Sequence, residues 1–489
     1  MKVLFIARHF TYFRNFDSVI ASLAERGHTV HLAADREEAL GGRELVDRLA
    51  ASRPGITVGF TPVREFGRYT RLARALRLGL DYLRYSDPRY DTMPKLRQRA
   101  YERTPAFVLA LARLPFRAAA TRLLELIEEA VPSHRGVEDF IREHQPDLVL
   151  VTPLIELGSP QIDYVRVARR LGIRTALCVW SWDHLSSKAL IRVLPDYLVV
   201  WNDIQRDEAA RFHGVPADRV LVTGAQCFDR WFGRAPSLDR AAFCRRVGLP
   251  DDRPFVLYVC SALFRGSPSE AVFVREWVSA LRASSDPALR GINVLVRPHP
   301  QRLEEWQGGA IDGTVLWGSN PVDEQARADY FDSMFHSAAV VGLNTSALVE
   351  AAIVDRPVFT ILRPEFRDNQ EGTFHFHHLL TVGNGCLHAA RTLEEHAGQL
   401  AGALRGEWRG NQAFVERFIR PRGLATAATP VFVEAVERIA SSGPRAPQRA
   451  PWRAVLLRPL VYALVVAGRL PLVERIYWNP QKFRSLANA

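Results

Sequence analysis

The chain has 489 residues, 47% of them hydrophobic and 24% charged, a balance that supports packed cores and excludes both a disordered polymer and a polytopic membrane protein. Lysine and arginine total 64 against 53 acidic residues, a formal charge of +11, which favours anionic partners without choosing among nucleotides, acidic lipid head groups and nucleic acid. There is no zinc-finger spacing and no glycine- and aromatic-rich run of the single-strand-binding kind, so no nucleic-acid partner is expected.

From the first residue, short apolar runs alternate with helical patterns, the mark of parallel sheets with crossover helices. Val3 to Ala7 is the first expected strand, far shorter than a signal-peptide core. The loop after it, Arg8 to Asn15 (RHFTYFRN), lacks the G-x-G-x-x-G spacing of a NAD site. It carries His9, a candidate catalytic base because a free imidazole titrates near neutrality, together with Tyr12 and Arg14, the latter a candidate acceptor contact. A merely solvated loop is the alternative. Phe16, Val19, Ile20 and Leu23 then share one helical face, Gly27 is a fitting stop, and Thr29 to Ala33 completes a βαβ unit.

Ile56 to Phe60, Asp147 to Val151, Thr175 to Trp180, Tyr197 to Trp201 and Val220 to Val222 are the other strands expected in the first half. A helical insertion at 64–122 interrupts them, and in it Arg64, Arg68, Arg71, Arg74 and Arg77 recur at three- and four-residue steps, predicting one basic helix face. Glu156 follows one strand and WSWDHLSSK (180–188) follows another. The latter offers Asp183 as a second candidate base, with Trp182 and Lys188 as acceptor contacts; core packing for Trp182 and a turn or cap for Asp183 are the alternatives.

FGRAPSLD (232–239) reads as a linker, so domains are placed at 1–235 and 236–440. Second-half strands are expected at Phe255 to Cys260, Asn293 to Arg297, Thr314 to Trp317, Ala339 to Gly342 and Val358 to Leu362. Ser261 follows the first of these. Arg297-Pro298-His299-Pro300 ends the second, where two prolines restrict the backbone around one imidazole. Gly342-Leu343-Asn344-Thr345-Ser346 joins a strand to an alanine-rich helix, and backbone N–H groups with hydroxyls at such a positive helix end suit a pyrophosphate. Glu350, one turn on, is placed to accept ribose hydroxyls. An ordinary helix cap with a surface glutamate, and a structural turn at His299, are the competing readings. The run Thr373 to His378, with His375 as a phosphate-facing candidate, has no Asp or Cys to complete a zinc set, and no D-x-D pair for a magnesium-bound nucleotide is present. No metal and no resident cofactor are expected.

Ser441 to Pro451 reads as a linker opening a tail at 441–489. The stretch from Trp452 to Tyr477 is too interrupted by Arg458, Pro459, Arg469 and Pro471 to span a bilayer, leaving an interfacial amphipathic segment or a tail packed on the protein. The five cysteines, Cys178, Cys227, Cys244, Cys260 and Cys386, are scattered without a C-x-x-C pair, as in a reduced cytosolic chain.

Taken in order, Arg14-Asn15-Phe16 through Gly27-His28, Ser181-Trp182-Asp183, Trp201-Asn202 through Gly224, Arg297-Pro298-His299-Pro300, and Asn344-Thr345-Ser346 through Pro357 resemble the GT-B glycosyltransferase superfamily. The resemblance is to its bacterial branch near CDP-glycerol glycerophosphotransferases and UDP-N-acetylglucosamine 2-epimerase-like enzymes, and it spans most of residues 1–435. It implies an α/β fold of two Rossmann-like domains facing across a cleft, with a nucleotide-diphosphate sugar on the second and an acceptor on the first. Residues matching His299, Ser346 and Glu350 would contact phosphate or ribose. In this sequence His184 replaces the asparagine usual after the segment similar to Ser181-Trp182-Asp183.

The function expected is metal-independent transfer of a sugar or related group to an acceptor hydroxyl, in bacterial surface glycan or glycolipid synthesis. Ser261, Arg297, His299, Asn344, Thr345, Ser346, Glu350 and His375 would bind the donor, and His299 would also act in catalysis beside His9 or Asp183. Basic helix and apolar tail place the chain in the cytoplasm, peripheral to the inner membrane surface, with a glycan or lipid-linked acceptor. Rival readings are a UDP-sugar 2-epimerase, a CDP-glycerol-type transferase, and a non-catalytic nucleotide-binding scaffold at the membrane.

Overall fold

A computed structural model describes residues 1–37, 41–62, 69–106, 108–109, 117–307, 311, 313–318, 321 and 323–470. The chain forms two compact units, Met1–Cys227 with Ala427–Ala489, and Phe228–Thr426. Each is an α/β unit built on one parallel sheet.

In the first unit the strands are β1 (Lys2–His9), β2 (Thr29–Arg36), β3 (Ile56–Phe60), β4 (Leu148–Thr152), β5 (Arg174–Cys178), β6 (Tyr197–Val200) and β7 (Val220–Val222), in the sheet order β3-β2-β1-β4-β5-β6-β7. All pairs are parallel, and Phe5 of β1 lies opposite Leu32 on one side and Leu150 on the other. Helices cover both faces, so the strands are apolar throughout. Val3, Phe5 and Ala7 enter one core with Leu148 and Leu150, whereas Leu4 and Ile6 enter the other with Val149 and Val151. This is the two-residue period of a strand expressed on two buried faces. Gly27, at the expected helix stop, has a φ of +81°, a conformation costly for a residue with a Cβ.

The second unit holds β8 (Phe255–Val259), β9 (Asn293–Arg297), β10 (Thr314–Leu316), β11 (Ala339–Val341), β12 (Val358–Ile361) and β13 (Leu387–Ala390), in the order β10-β9-β8-β11-β12-β13. The first-half and second-half strands expected from sequence are present; β13 is an addition. Its sequence, LHAA, carries little β propensity, and its place is the edge of the sheet.

Both sheets reverse direction of strand addition once, between β1 and β4 and between β8 and β11. Ligands of open α/β sheets bind outside the carboxyl ends of the strands at such a switch point.

Two expectations are corrected. The helix Ala428–Ser441 does not close the second domain at 440, because Phe432, Val433, Val436 and Ile439 pack into the core around Phe5 and Phe16 of the first unit. The single basic face also fails. Arg64 and Arg68 lie outside the described residues; Arg71 and Arg74 are exposed on the helix Thr70–Arg84, but Arg77 is 2% exposed. Each three-residue step falls 60° short of a full turn, so Arg77 is carried inward, where Glu128 and Asp163 bind it at 2.8 and 2.6 Å. Burial opposes the charge on Glu128, but Arg166 and Arg77 outweigh it and hold the carboxyl at about 2.

Of the two readings of the tail, packing on the protein holds for one face of its described part. Its helices Trp452–Leu456 and Arg458–Ala467 send Ala454 and Val461 into a core shared with Leu76, Leu80 and Leu124, and Val465 is also buried. Residues 471–489, including Tyr477, lie outside the described residues. Among the described residues no helix is long and apolar enough to cross a membrane.

Candidate functional site

In the second unit the three segments singled out by sequence all leave the carboxyl edge at its switch point: Pro298-His299 after β9, Cys260-Ser261 after β8, and Gly342 to Thr345 after β11. Parallel strands lie about 4.8 Å apart, so the outer two loops open about 10 Å from one another. Gly342 allows this crowding, because a Cβ there would stand 2.8 Å from the Val259 carbonyl oxygen.

Several expected donor contacts turn out to build the site rather than face a ligand. Ser261 is fully buried, and its hydroxyl accepts the Asn344 backbone N–H at 3.1 Å. Beneath it the buried Glu270, which opens the helix Glu270–Arg282, accepts the Ser261 N–H at 2.7 Å and the Tyr258 hydroxyl at 3.1 Å. Burial pushes this carboxyl up to about 8. The Asn344 amide donates to the Asn369 carbonyl at 2.5 Å and meets His375 Nε2 at 3.4 Å. Asn369 in turn binds Phe264 N and Ser267 Oγ, so the half-buried Asn344 and the buried His375 tie three loops together.

Arg297 is corrected in the same sense. Its guanidinium is buried 4.7 Å from the centre of the Tyr330 ring and 5.8 Å from Trp317, where desolvation lowers its affinity for a proton while Tyr330, Asp329 and Glu350 oppose the shift.

Of the remaining expected donor contacts Ser346 is exposed, and His299, Thr345 and Glu350 are half-buried, as Asn344 is. Thr345 caps the helix Ser346–Ile353, accepting the Ala347 N–H; the positive end of that helix faces the edge. His299 Nδ1 accepts the Gln301 N–H at 3.3 Å, which puts its proton on Nε2. Burial, then Arg302, lowers its pKa, so the ring is a neutral donor. Glu350 accepts the Tyr330 hydroxyl at 2.5 Å and is thereby held in place.

In the first unit, His9 ends β1 and stacks on Tyr12 with ring centres 4.4 Å apart; Tyr12 meets the edge of Trp180 at 5.1 Å. Glu156, in the loop after β4, accepts Arg8 Nη1 at 2.5 Å and the Tyr12 hydroxyl at 3.4 Å. Burial, helped by Arg8, Arg36 and Arg14, lowers the His9 pKa to about 4, leaving a neutral imidazole beside an arginine-rich edge. Arg14 is exposed there.

The loop after β5 departs from its sequence reading. Trp182 is buried, so Trp180, not Trp182, is the aromatic wall. Asp183 binds Ser181 Oγ at 2.6 Å, Ser187 Oγ at 2.8 Å and Lys188 Nζ at 2.8 Å. Both carboxylate oxygens are thus committed to holding the loop, and Lys188 is committed to Asp183, which does not suit a base and an acceptor contact. His184 is buried and donates Nε2–H to the Pro153 carbonyl at 2.8 Å, with burial lowering its pKa to about 3.

Glu270, Tyr330 and Asn369 were not singled out by sequence. Ser269-Glu270 signals only a helix start; that Glu270 lies under Ser261 is a property of the folded sheet. The histidines of the run 373–378 diverge, His377 meeting the Glu371 carbonyl and His378 the Phe418 ring.

No protein-family model and no curated protein matches the chain. Among solved structures it is similar to UDP-GlcNAc 2-epimerase from Neisseria meningitidis bound to UDP-GlcNAc, with 12% identity, 90% of this chain and 100% of that chain covered, and a TM-score of 0.49. It is similar to a glycosyltransferase from Rickettsia africae at 9% identity, coverage of 95% and 98%, and a TM-score of 0.47. It also resembles CalG4, the calicheamicin glycosyltransferase, at 13% identity, coverage of 90% and 98%, and a TM-score of 0.47. The strand orders described above stand independently of these likenesses.

Proposed function

We propose that the chain is a GT-B type transferase that moves a sugar or related group from a nucleotide-diphosphate donor to an acceptor hydroxyl. The observation that carries this reading is the carboxyl edge between β9 and β11, where His299, the start of the helix Ser346–Ile353 and Glu350 emerge from one braced set of loops. Neutral hydrogen-bond donors and a positive helix end suit a diphosphate, and a carboxylate held by Tyr330 suits ribose hydroxyls.

In this reading the first unit takes the acceptor and His9 is the base. The acceptor oxygen forms a bond to the donor's anomeric carbon while its proton passes to the imidazole. The bond from that carbon to the diphosphate oxygen breaks, and its electron pair leaves with the diphosphate. His299 Nε2–H and the helix end stabilise the growing charge in place of a metal ion. A histidine with a pKa near 4 is deprotonated at neutral pH and accepts the proton late, as C–O cleavage proceeds.

The acceptor is proposed to be a glycan or lipid-linked molecule at the inner membrane surface. Support comes from the tail, where Trp452, Leu456, Leu460, Tyr462, Leu464 and Leu470 are exposed. Product analysis tests the reaction: incubation with a panel of sugar nucleotides should give free nucleoside diphosphate and a glycosylated product only with an acceptor present. Conversion of UDP-N-acetylglucosamine alone to its 2-epimer would replace this reading with the epimerase one. Loss of vesicle sedimentation on deleting residues 452–489 tests the membrane part.

A further inference from the structure

A cavity of about 780 Å³ lies wholly within the first unit, between the helical insertion, the segment 190–194 and the start of the tail. Arg169 and Arg170 reach it from the end of the helix Ile162–Arg170, and Phe212 and His213 from the end of the helix Asp203–His213. In parallel α/β units helix ends lie at the amino edge of the sheet, so the cavity is on the side opposite His9 and Glu156.

Among the described residues nine arginines line it against four carboxylates. Some are matched, as Arg166 is with Glu128 and Arg170 with Glu138. Among the described residues, Arg169, Arg219, Arg449 and Arg458 have no carboxylate at ion-pair distance. Arg169 instead feels Arg445 and Arg219, with Asp196 as counter-charge. The Arg192 side chain is 6% exposed and its Nη2 lies 2.7 Å from an Asp81 carboxylate oxygen, but none of Nε, Nη1 and Nη2 has a partner in hydrogen-bond geometry. A buried guanidinium on a cavity wall whose N–H groups lack aligned acceptors is costly unless an anion completes it.

The rim of the cavity continues into the tail. Arg449, Pro451 and Arg458 line it, and the exposed apolar side chains of residues 452–470 begin there. Charge and apolar surface adjoin as an anionic amphiphile requires.

We infer that this cavity binds the phosphate-bearing head group of an anionic membrane lipid, whose chains lie along the exposed face of the tail. The inference rests on the reading of the tail as a membrane-interface element, and is independent of the transferase reading.

The test uses the full chain in vesicle flotation, with phosphatidylcholine alone and mixed with phosphatidylglycerol. The wild type should float only with the mixed vesicles. Arg169→Ala combined with Arg219→Ala should weaken this about thirtyfold, whereas Arg409→Ala with Arg417→Ala, the same charge removed from exposed sites in the second unit, should leave it unchanged. Neither Arg169 nor Arg219 holds an ion pair, and matching thermal unfolding of the variants confirms that both are folded. Equal loss in the two pairs would show diffuse attraction and overturn the site, as would wild-type flotation of the cavity variant. Trp452→Ala with Leu456→Ala separates the two readings: loss there with no loss in the cavity variant removes the cavity alone, and loss in none removes the membrane reading with it. Tight binding of sn-glycerol 3-phosphate without flotation would identify a soluble phosphate compound and overturn the lipid assignment.

Discussion

The carboxyl edges of the two sheets share one strand order and one kind of switch point, yet they present opposite chemistry. The second edge is made of neutral donors, a helix end and one braced carboxylate, with its arginine buried under rings. The first gathers Arg8, Arg14 and Arg36 around a neutral imidazole, with the Glu156 and Asp35 carboxylates as counter-charges to Arg8. Topology therefore decides where a ligand can sit, and the loop residues decide what it is. In the proposed reading a helix end suits the diphosphate and the base has to be neutral, and burial with neighbouring cations lowers the His9 pKa accordingly.

The sharpest way to break this comparison is to remove the base and leave the cradle. His9→Ala should lower kcat by about 10²–10⁴ while nucleotide affinity, measured by calorimetry, stays at the wild-type value; a matching loss of affinity would put His9 in the donor site. With His9 intact, the acid limb of kcat should fall near pH 4 rather than near 6.5, since the ring is neutral above its lowered pKa. The first edge also depends on how the insertion is anchored. Arg77→Ala leaves the buried Glu128 and the half-buried Asp163 facing an empty place and should destabilise the chain by about 3–5 kcal/mol in denaturant unfolding.

Beneath the second edge, Glu270 makes the opposite pH argument. Its carboxyl is raised from about 4.5 to about 8, so between those values the folded chain holds more protons than the unfolded one. Stability contributed there is complete below pH 4.5 and is lost as pH rises through 8. Glu270→Gln should flatten that slope and gain on the wild type by on the order of 1–3 kcal/mol at pH 8. Smallest in size, Tyr330→Phe removes one hydrogen bond to Glu350 and should weaken nucleotide binding by about 0.5–1.5 kcal/mol, with no change in the pH profile set by His9.

Much of this was legible in the sequence, for reasons visible in particular residues. Parallel strands buried on both faces write themselves as runs such as LVLVT and FVLYV, and their following loops marked both switch-point edges. LHAA at β13 has no such signature. Nor does sequence reveal that Ala428–Ser441 returns to the first unit, since an amphipathic helix does not name the sheet it covers. Within the edges, residue type was legible and orientation was not: Ser261 and Asn344 look like ligand donors but face inward, and Trp180 and Trp182 are alike in sequence yet differ in burial.

The claim on which the account stands is that the edge between β9 and β11 holds a nucleoside diphosphate. Titration calorimetry with UDP, CDP, GDP and TDP measures it most directly, on the wild type and on Glu350→Ala. The account predicts that one nucleotide binds in preference to the rest and that the variant binds it about 1–3 kcal/mol more weakly, the worth of charged hydrogen bonds to ribose. Binding of none of the four, or equal binding by wild type and variant, would contradict it.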